Sequence, residues 1–198
     1  MCIRDSPRLY DATQGEVLVD GVNVKDYDIE ALRNKVGIVM QKAVLFKGTI
    51  RENMWMGKKG ATDEQIDEAL EISQSKEFVD SKQGRLDYVI EQGGKNLSGG
   101  QRQRLTIARA IVRKPDVLIL DDSASALDFA TDAALRKAIR GMNNSPTVFI
   151  VSQRAASLMY ADLIIVLDDG QVAGMGTHDE LLANCEVYKA VSYTHLTL

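Results

Sequence analysis

The run VLIL at 117–120 constrains the fold more than any other stretch, because no polar residue alternates with its apolar ones. A strand with one face in water alternates polar and apolar side chains. A strand that is apolar throughout is covered on both faces, as the middle strand of a parallel sheet is. Helical pattern lies on either side of it. A long helix is expected from Ser98 through Val112, ended by Lys114-Pro115, and another from about Phe129 to Met142. The strands TVFIV and LIIVL follow in βαβ order with a short helix between them. This alternation predicts an α/β fold with a parallel central sheet.

The flanking sequence adds smaller units. GEVLVDGVNVKDYD alternates around Asp20-Gly21 and reads as a β-hairpin. A short helix, Ile29 to Lys35, leads into the strand VGIVM, then the loop QKAVLFKG, then a helix beginning near Thr49. Residues 62–80 read as one helix with Ile66, Ala69, Leu70 and Ser73 on a shared face. DYVIEQGGKN reads as a glycine-bearing loop, DDGQVAGMG as a closing hairpin, and THDE as the capping box, Thr177 with Glu180, of the last helix. The organisation is one α/β unit with a helical insertion between about Thr49 and Asn96.

Bulk properties exclude several classes. At 198 residues the chain can bury one substantial core, and a net charge of −4 gives no global basic surface for nucleic acid. Its longest apolar runs are too short to span a bilayer, so a membrane role would need a partner or sequence outside this chain. Cys2 and Cys185 form no metal or redox spacing and no disulfide framework, which fits a reducing compartment. The ends, MCIRDS and SYTHLTL, fit neither neighbouring pattern, and the second breaks a helical pattern without a cap. Together they resemble translated adaptor read-through, so 1–6 and 192–198 are expected to be non-native, with 7–191 a partial domain. Ordinary disordered termini are the alternative.

Two stretches carry chemistry. In NLSGGQRQR, a serine and two glycines open a helix, and the backbone N–H groups at its positive end suit an oxyanion such as a phosphate. Ser-Gly-Gly alone would be an ordinary capped helix start. The strand VLIL delivers Asp121 and Asp122 at its end, and Asp122-Ser123 taken alone could be a turn or cap.

The ungapped string NLSGGQRQRLTIARAIVRKPDVLILDDSASALD resembles the ATP-binding-cassette (ABC) family, whose signature is Leu-Ser-Gly-Gly-Gln. The resemblance implies a P-loop NTPase-like core that uses ATP and Mg²⁺. It implies that Asn96, Leu97, Ser98, Gly99, Gly100 and Gln101 contact the nucleotide of a second cassette in a head-to-tail dimer. By the same resemblance, Gln41 matches the Q-loop glutamine, which reaches the metal and the attacking water. Asp121 matches the metal-orienting acid, Asp122 the position of the general base, and Gln153 the switch residue. Ser125, Ala126, Leu127 and Asp128 match the D-loop at the interface between cassettes. LFKGTIRENM and GTHDELLA resemble the exporter branch. That branch implies an upstream transmembrane domain, a place on the cytoplasmic face of a bacterial plasma membrane, and no nucleic-acid partner.

Three departures shape the expectation. The phosphate loop Gly-x-x-x-x-Gly-Lys-Ser/Thr is absent, and the family places it just upstream of a segment like PRLYDATQGEV. Truncation is therefore expected, with the first strands missing and the isolated fragment inactive. Asp122 stands where the family has glutamate, and one methylene less withdraws the carboxylate by roughly 1.5 Å, enough to slow a reaction substantially. Gln153 stands for histidine and cannot become cationic near neutral pH. Together these resemble the degenerate half of heterodimeric exporters, which would lend LSGGQ to the partner's competent site while its own site hydrolyses weakly. The alternatives are a non-transport ATPase of translation or DNA-repair type, a nucleotide-independent interaction module, and a homodimer with two slow sites. Trp55 and Met56 are expected to pack in the helical region, His178 to be exposed, and Arg102 and Arg104 to be surface or interface charges.

Overall fold

Asp20 and Gly21 both take positive φ, 51° and 77°, as a two-residue turn that matches strand twist requires. They join β1 (Leu18–Val19) to β2 (Val22–Asn23), with Val19 opposite Val22. The computed structural model describes residues 5–123 and 125–194, and its chain divides into two units, 1–149 and 150–198. Cys2 and His195 lie outside the described residues.

In the first unit, Asp28 caps α1 (Ile29–Lys35) by accepting from the Ala31 N–H, and β3 (Val36–Val39) follows directly. A loop then leads to the short β4 (Gly48–Thr49) and α2 (Ile50–Trp55). Thr49 and Glu52 close a capping box on α2. The expected single helix over 62–80 is two, α3 (Asp63–Ile72) and α4 (Lys76–Asp80). Gln74 breaks it at φ 60°, and the Ser73 hydroxyl bonds the Leu70 carbonyl and lies 2.9 Å from the Ser75 hydroxyl, a local side-chain network that competes with the helix. The predicted shared face holds, since Ile66, Ala69, Leu70 and Ser73 are all buried. The stretch read as a plain loop contains β5 (Val89–Ile90), which pairs antiparallel with β4, and a 3₁₀ turn at Gln92–Gly94.

Next come α5 (Gly99–Ile111), β6 (Val117–Asp121), α6 (Phe129–Arg140) and β7 (Thr147–Val151). The sheet order is β3-β6-β7, so the apolar run is the middle strand, with Leu118, Ile119 and Leu120 buried. β3 and β6 are parallel, in register from Val36 opposite Val117 to Val39 opposite Leu120. Ile119 and Val36 join Val19, Val24 and Leu32 in one apolar cluster, which fastens the hairpin and α1 to the sheet. Trp55 and Met56 pack less fully than expected, with 40% and 52% of their surface exposed, and the indole N–H of Trp55 donates to the Ala61 carbonyl.

The second unit holds a 3₁₀ turn (Ala155–Ser157), β8 (Ile164–Asp168), β9 (Gln171–Gly176), α7 (His178–Asn184) and α8 (Glu186–Thr194). LIIVL was expected as a further βαβ strand; β8 instead forms a two-stranded antiparallel sheet with β9 through a second Asp-Gly turn, Asp169-Gly170. One face of this sheet packs through Ile164 on Leu181, Cys185 and Tyr188, and Cys185 is a buried free thiol. The other carries Ile165 opposite Met175 and Leu167 opposite Val172, all well exposed. Thr177 and Glu180 form the predicted capping box. His178 is only half-exposed, its Nδ1 2.8 Å from the Tyr188 hydroxyl. The helical pattern expected to break at SYTHLTL continues through Thr194, and Ser192 within it is buried.

Candidate functional site

The sequence features that carry chemistry in the first unit meet at two places. One is the N-terminus of α5. The Ser98 hydroxyl accepts from the Gln101 N–H at 3.2 Å, and Gln101 Oε1 accepts from the Ser98 N–H at 3.1 Å. The box claims those two N–H groups and leaves those of Gly99 and Gly100 unclaimed by it, at the positive end of the helix. Ser98 and Gly99 are exposed, and a Cβ on Gly99 would meet nothing nearer than an Arg102 nitrogen at 3.9 Å. An incoming oxyanion therefore has an open approach to this backbone.

Gly100 has a different task. A Cβ there would stand 3.3 Å from the Ala126 carbonyl, so its missing side chain lets the loop after β6 lie against the helix start. Leu97 is buried and Asn96 is structural. The Asn96 side chain accepts from the Glu91 N–H and donates to the Val89 carbonyl and the Tyr88 hydroxyl, fixing the strand that precedes the signature. Arg102 and Arg104, expected as surface or interface charges, are half-buried and bond backbone carbonyls. Arg102 donates to the carbonyls of Gly94 and Leu97, and Arg104 to the Gln74 carbonyl at the α3–α4 break. Burial holds Arg104 below its usual guanidinium value, partly offset by Asp128 and Glu77.

The second place is the end of the parallel sheet. Asp121 closes β6 and is half-buried. Asp122 leaves the strand at φ 45°, and its carbonyl accepts from the Ser125 N–H and hydroxyl in a tight turn. Gln41 Nε2 donates to Asp122 Oδ2 at 2.9 Å across 81 residues of chain. The register explains the meeting: Gln41 and Asp122 each lie two residues beyond the last pair, Val39 and Leu120. Sequence reasoning named both residues but not their contact.

Of the D-loop residues, Leu127 is buried, while Ser125 and Ala126 are exposed. Asp128 is the N-cap of α6, accepting from the Thr131 N–H at 2.9 Å and from its hydroxyl at 2.8 Å. Those two bonds hold its carboxyl below the usual range. Gln153 belongs to the second unit, exposed, two residues past the end of β7.

Among the described residues no group of three or more His, Cys, Asp or Glu builds a metal site. Asp121 and Asp122 supply two carboxylates at and just past the end of β6, while the Gln41 amide turns its nitrogen to Asp122. The carboxylates fit Mg²⁺, which is held by one or two carboxylates plus the oxygens of a bound phosphate.

Comparisons with known proteins give the family and the fold. The family model described as ABC transporter matches residues 7–125. The chain is 43% identical over 184 residues to an uncharacterized ABC transporter ATP-binding protein of Mycobacterium bovis, covering 91% of this chain and 31% of the relative. It is 38% identical over 190 residues to a protein of Staphylococcus aureus provisionally named as a multidrug export ATP-binding/permease protein, covering 96% of this chain and 32% of the relative. The solved structure of a bacterial Atm1-family ABC exporter with ATP bound superposes at a TM-score of 0.91 with 31% identity, over 98% of this chain and 34% of that one. The chain thus spans about a third of the length of these relatives.

Proposed function

From the premise that this chain belongs to the ABC transporter family and has the α/β fold of an exporter's nucleotide-binding domain, we propose that it is the hydrolytically weaker half of an unequal cassette pair. In that role its α5 N-terminus faces the ATP held by a second half-transporter cassette. Gly99 and Gly100 offer N–H groups to the γ-phosphate, and Ser98 is held in place by Gln101. The observation that carries the reading is the contrast between two ends of one unit. The signature end is open and preorganised, whereas the acid end presents a short carboxylate already bound to Gln41.

At its own site Asp121 and Gln41 would hold Mg²⁺, which when bound neutralises phosphate charge. Asp122 is the shortened base there. In the second unit, Gln153 stands where the family has histidine, and its amide can hydrogen-bond but cannot become cationic near neutral pH. The phosphate loop that both sites need is absent from this sequence, so this chain alone is expected not to hydrolyse ATP. No helix among the described residues is long and apolar enough to cross a membrane. Anchoring is assigned to a transmembrane domain in the full-length protein, with the cassette at the cytoplasmic face of the plasma membrane.

The test uses the full-length transporter with its partner half and measures ATP turnover. Gly99→Asp puts a carboxylate where phosphate should dock and is expected to cut turnover by about 100-fold, the scale at which lost transition-state donors act. Asp122→Asn in the same chain is expected to cut it by less than about threefold, since the partner's site carries the rate. Equal losses from the two variants would place the productive site at Asp122 and overturn the assignment.

A further inference from the structure

We infer that Asp122 acts as a latch on Gln41, a positioning residue whose carboxylate holds the start of the 41–48 segment against the end of the sheet. Besides the β4 pairing at its end, where Gly48 lies opposite Ile90, side chains tie this segment down at three points. Its middle is held by Arg109, which donates to the Val44 carbonyl at 2.9 Å, and by Asn53, which bonds both the N–H and the carbonyl of Phe46. Its start is held by the Gln41–Asp122 bond. The first two ties come from the helices α5 and α2; only the third comes from a strand-end acid.

Two features make aspartate the residue that fits. A carboxylate can only accept, so the Gln41 amide must present its nitrogen, and the 2.9 Å contact is a charge-assisted hydrogen bond. Asp122 also sits at φ 45°, a left-handed conformation in which Asp and Asn are several-fold enriched over other non-glycine residues. Glutamate is less suited to that backbone. It would also carry its carboxylate one methylene further, past an amide that the β3–β6 register has already set opposite it. The short side chain therefore does more than weaken a base: it closes the site on itself, and a ligand that recruits Gln41 must first undo the contact.

The latch stands on geometry. Its meaning as a restraint during turnover rests on the function proposed above. The experiment needs neither nucleotide nor partner, so its failure is distinct from a failure of that proposal. Amide hydrogen exchange is measured by mass spectrometry on this chain, over peptides spanning 41–48, with peptides over 164–176 as an internal reference. Asp122→Ala, Asp122→Glu and Gln41→Ala are expected to exchange about threefold to tenfold faster in 41–48, the scale of one lost hydrogen bond, with the reference unchanged. Asp122→Asn keeps an acceptor of the same length and tolerates the same φ, so it is expected to stay within about twofold of the parent chain. Gln41 is exposed, so its alanine variant keeps the comparison open if Asp122→Ala unfolds and raises the reference as well. Exchange in Gln41→Ala equal to the parent, or Asp122→Asn as fast as Gln41→Ala, would overturn the latch. Asp122→Glu at the parent rate would overturn the requirement for the shorter side chain.

Discussion

Asn53 spends its whole side-chain amide on backbone groups. It is fully buried, its Oδ1 accepts from the Phe46 N–H, and its Nδ2 donates to the carbonyls of Phe46 and Thr49, each at 3.0 Å. Alanine there leaves three part-buried backbone groups without their partner. Asn53→Ala is therefore expected to lower stability by about 2–3 kcal/mol, read from the denaturant midpoint at unchanged slope. Asn53 shows what was hidden at this scale. Gln41, Asp121, Asp122 and the signature residues were legible because their chemistry sits in one contiguous string or at a strand end. Asn53, Arg102 and Arg109 were not, because their work is to bond backbone groups that no residue pattern marks. The Gln41–Asp122 contact lay between these cases. Both strands were visible, but only their register, which depends on packing against α1 and α5, puts the two side chains opposite each other.

At the scale of elements, α2 and α5 approach so closely that one residue decides their spacing. A Cβ on Gly57 would lie 2.0 Å from the Arg109 carbonyl oxygen and 2.8 Å from a Val112 methyl, both on or next to α5. Backbone cannot yield as a side-chain tip can, so Gly57→Ala is expected to cost about 3 kcal/mol or more. Gly60→Ala, three residues on at φ 71° but with nothing within 4 Å, is expected to cost only about 1 kcal/mol of backbone strain. Thermal melts of the pair separate contact from conformation. Elements with a strong local cause were readable in advance: the two Asp-Gly turns, the helix start near Thr49, the Thr177 cap, and the apolar middle strand. The two-residue strands β4 and β5 were not, since two residues show no periodicity and their pairing joins segments some forty residues apart. The helix break at Gln74 was missed because Ser-Gln-Ser is compatible with a helix until Ser73 and Ser75 are buried against each other.

For the molecule as a whole, acid should be the destabilising direction. Arg51 holds Asp63 below the usual carboxylate range, Arg85 does the same for Asp80, and helix-start bonds do so for Asp128 and Glu180. A carboxyl whose folded value lies below its unfolded one stabilises fully above the unfolded value and loses that contribution as pH falls through the folded one. The melting temperature is therefore expected to hold between about pH 8 and 5 and to fall below about pH 4, where ordinary carboxylates begin to protonate. Added salt should shrink the part owed to Asp63 and Asp80, which are exposed and have charged partners, more than the part owed to the capping bonds. A melting temperature that stays flat down to pH 3 would show that these bonds persist equally in the unfolded chain. Folding strength is not the only property set at this scale. The β8–β9 sheet turns Ile165, Leu167, Val172 and Met175 to water on one side, a contiguous oily stripe on an otherwise acidic chain. A solution of this protein can then be conformationally sound and still colloidally fragile: the ceiling on its working concentration is set by molecules adhering through that stripe, well before any of them unfolds.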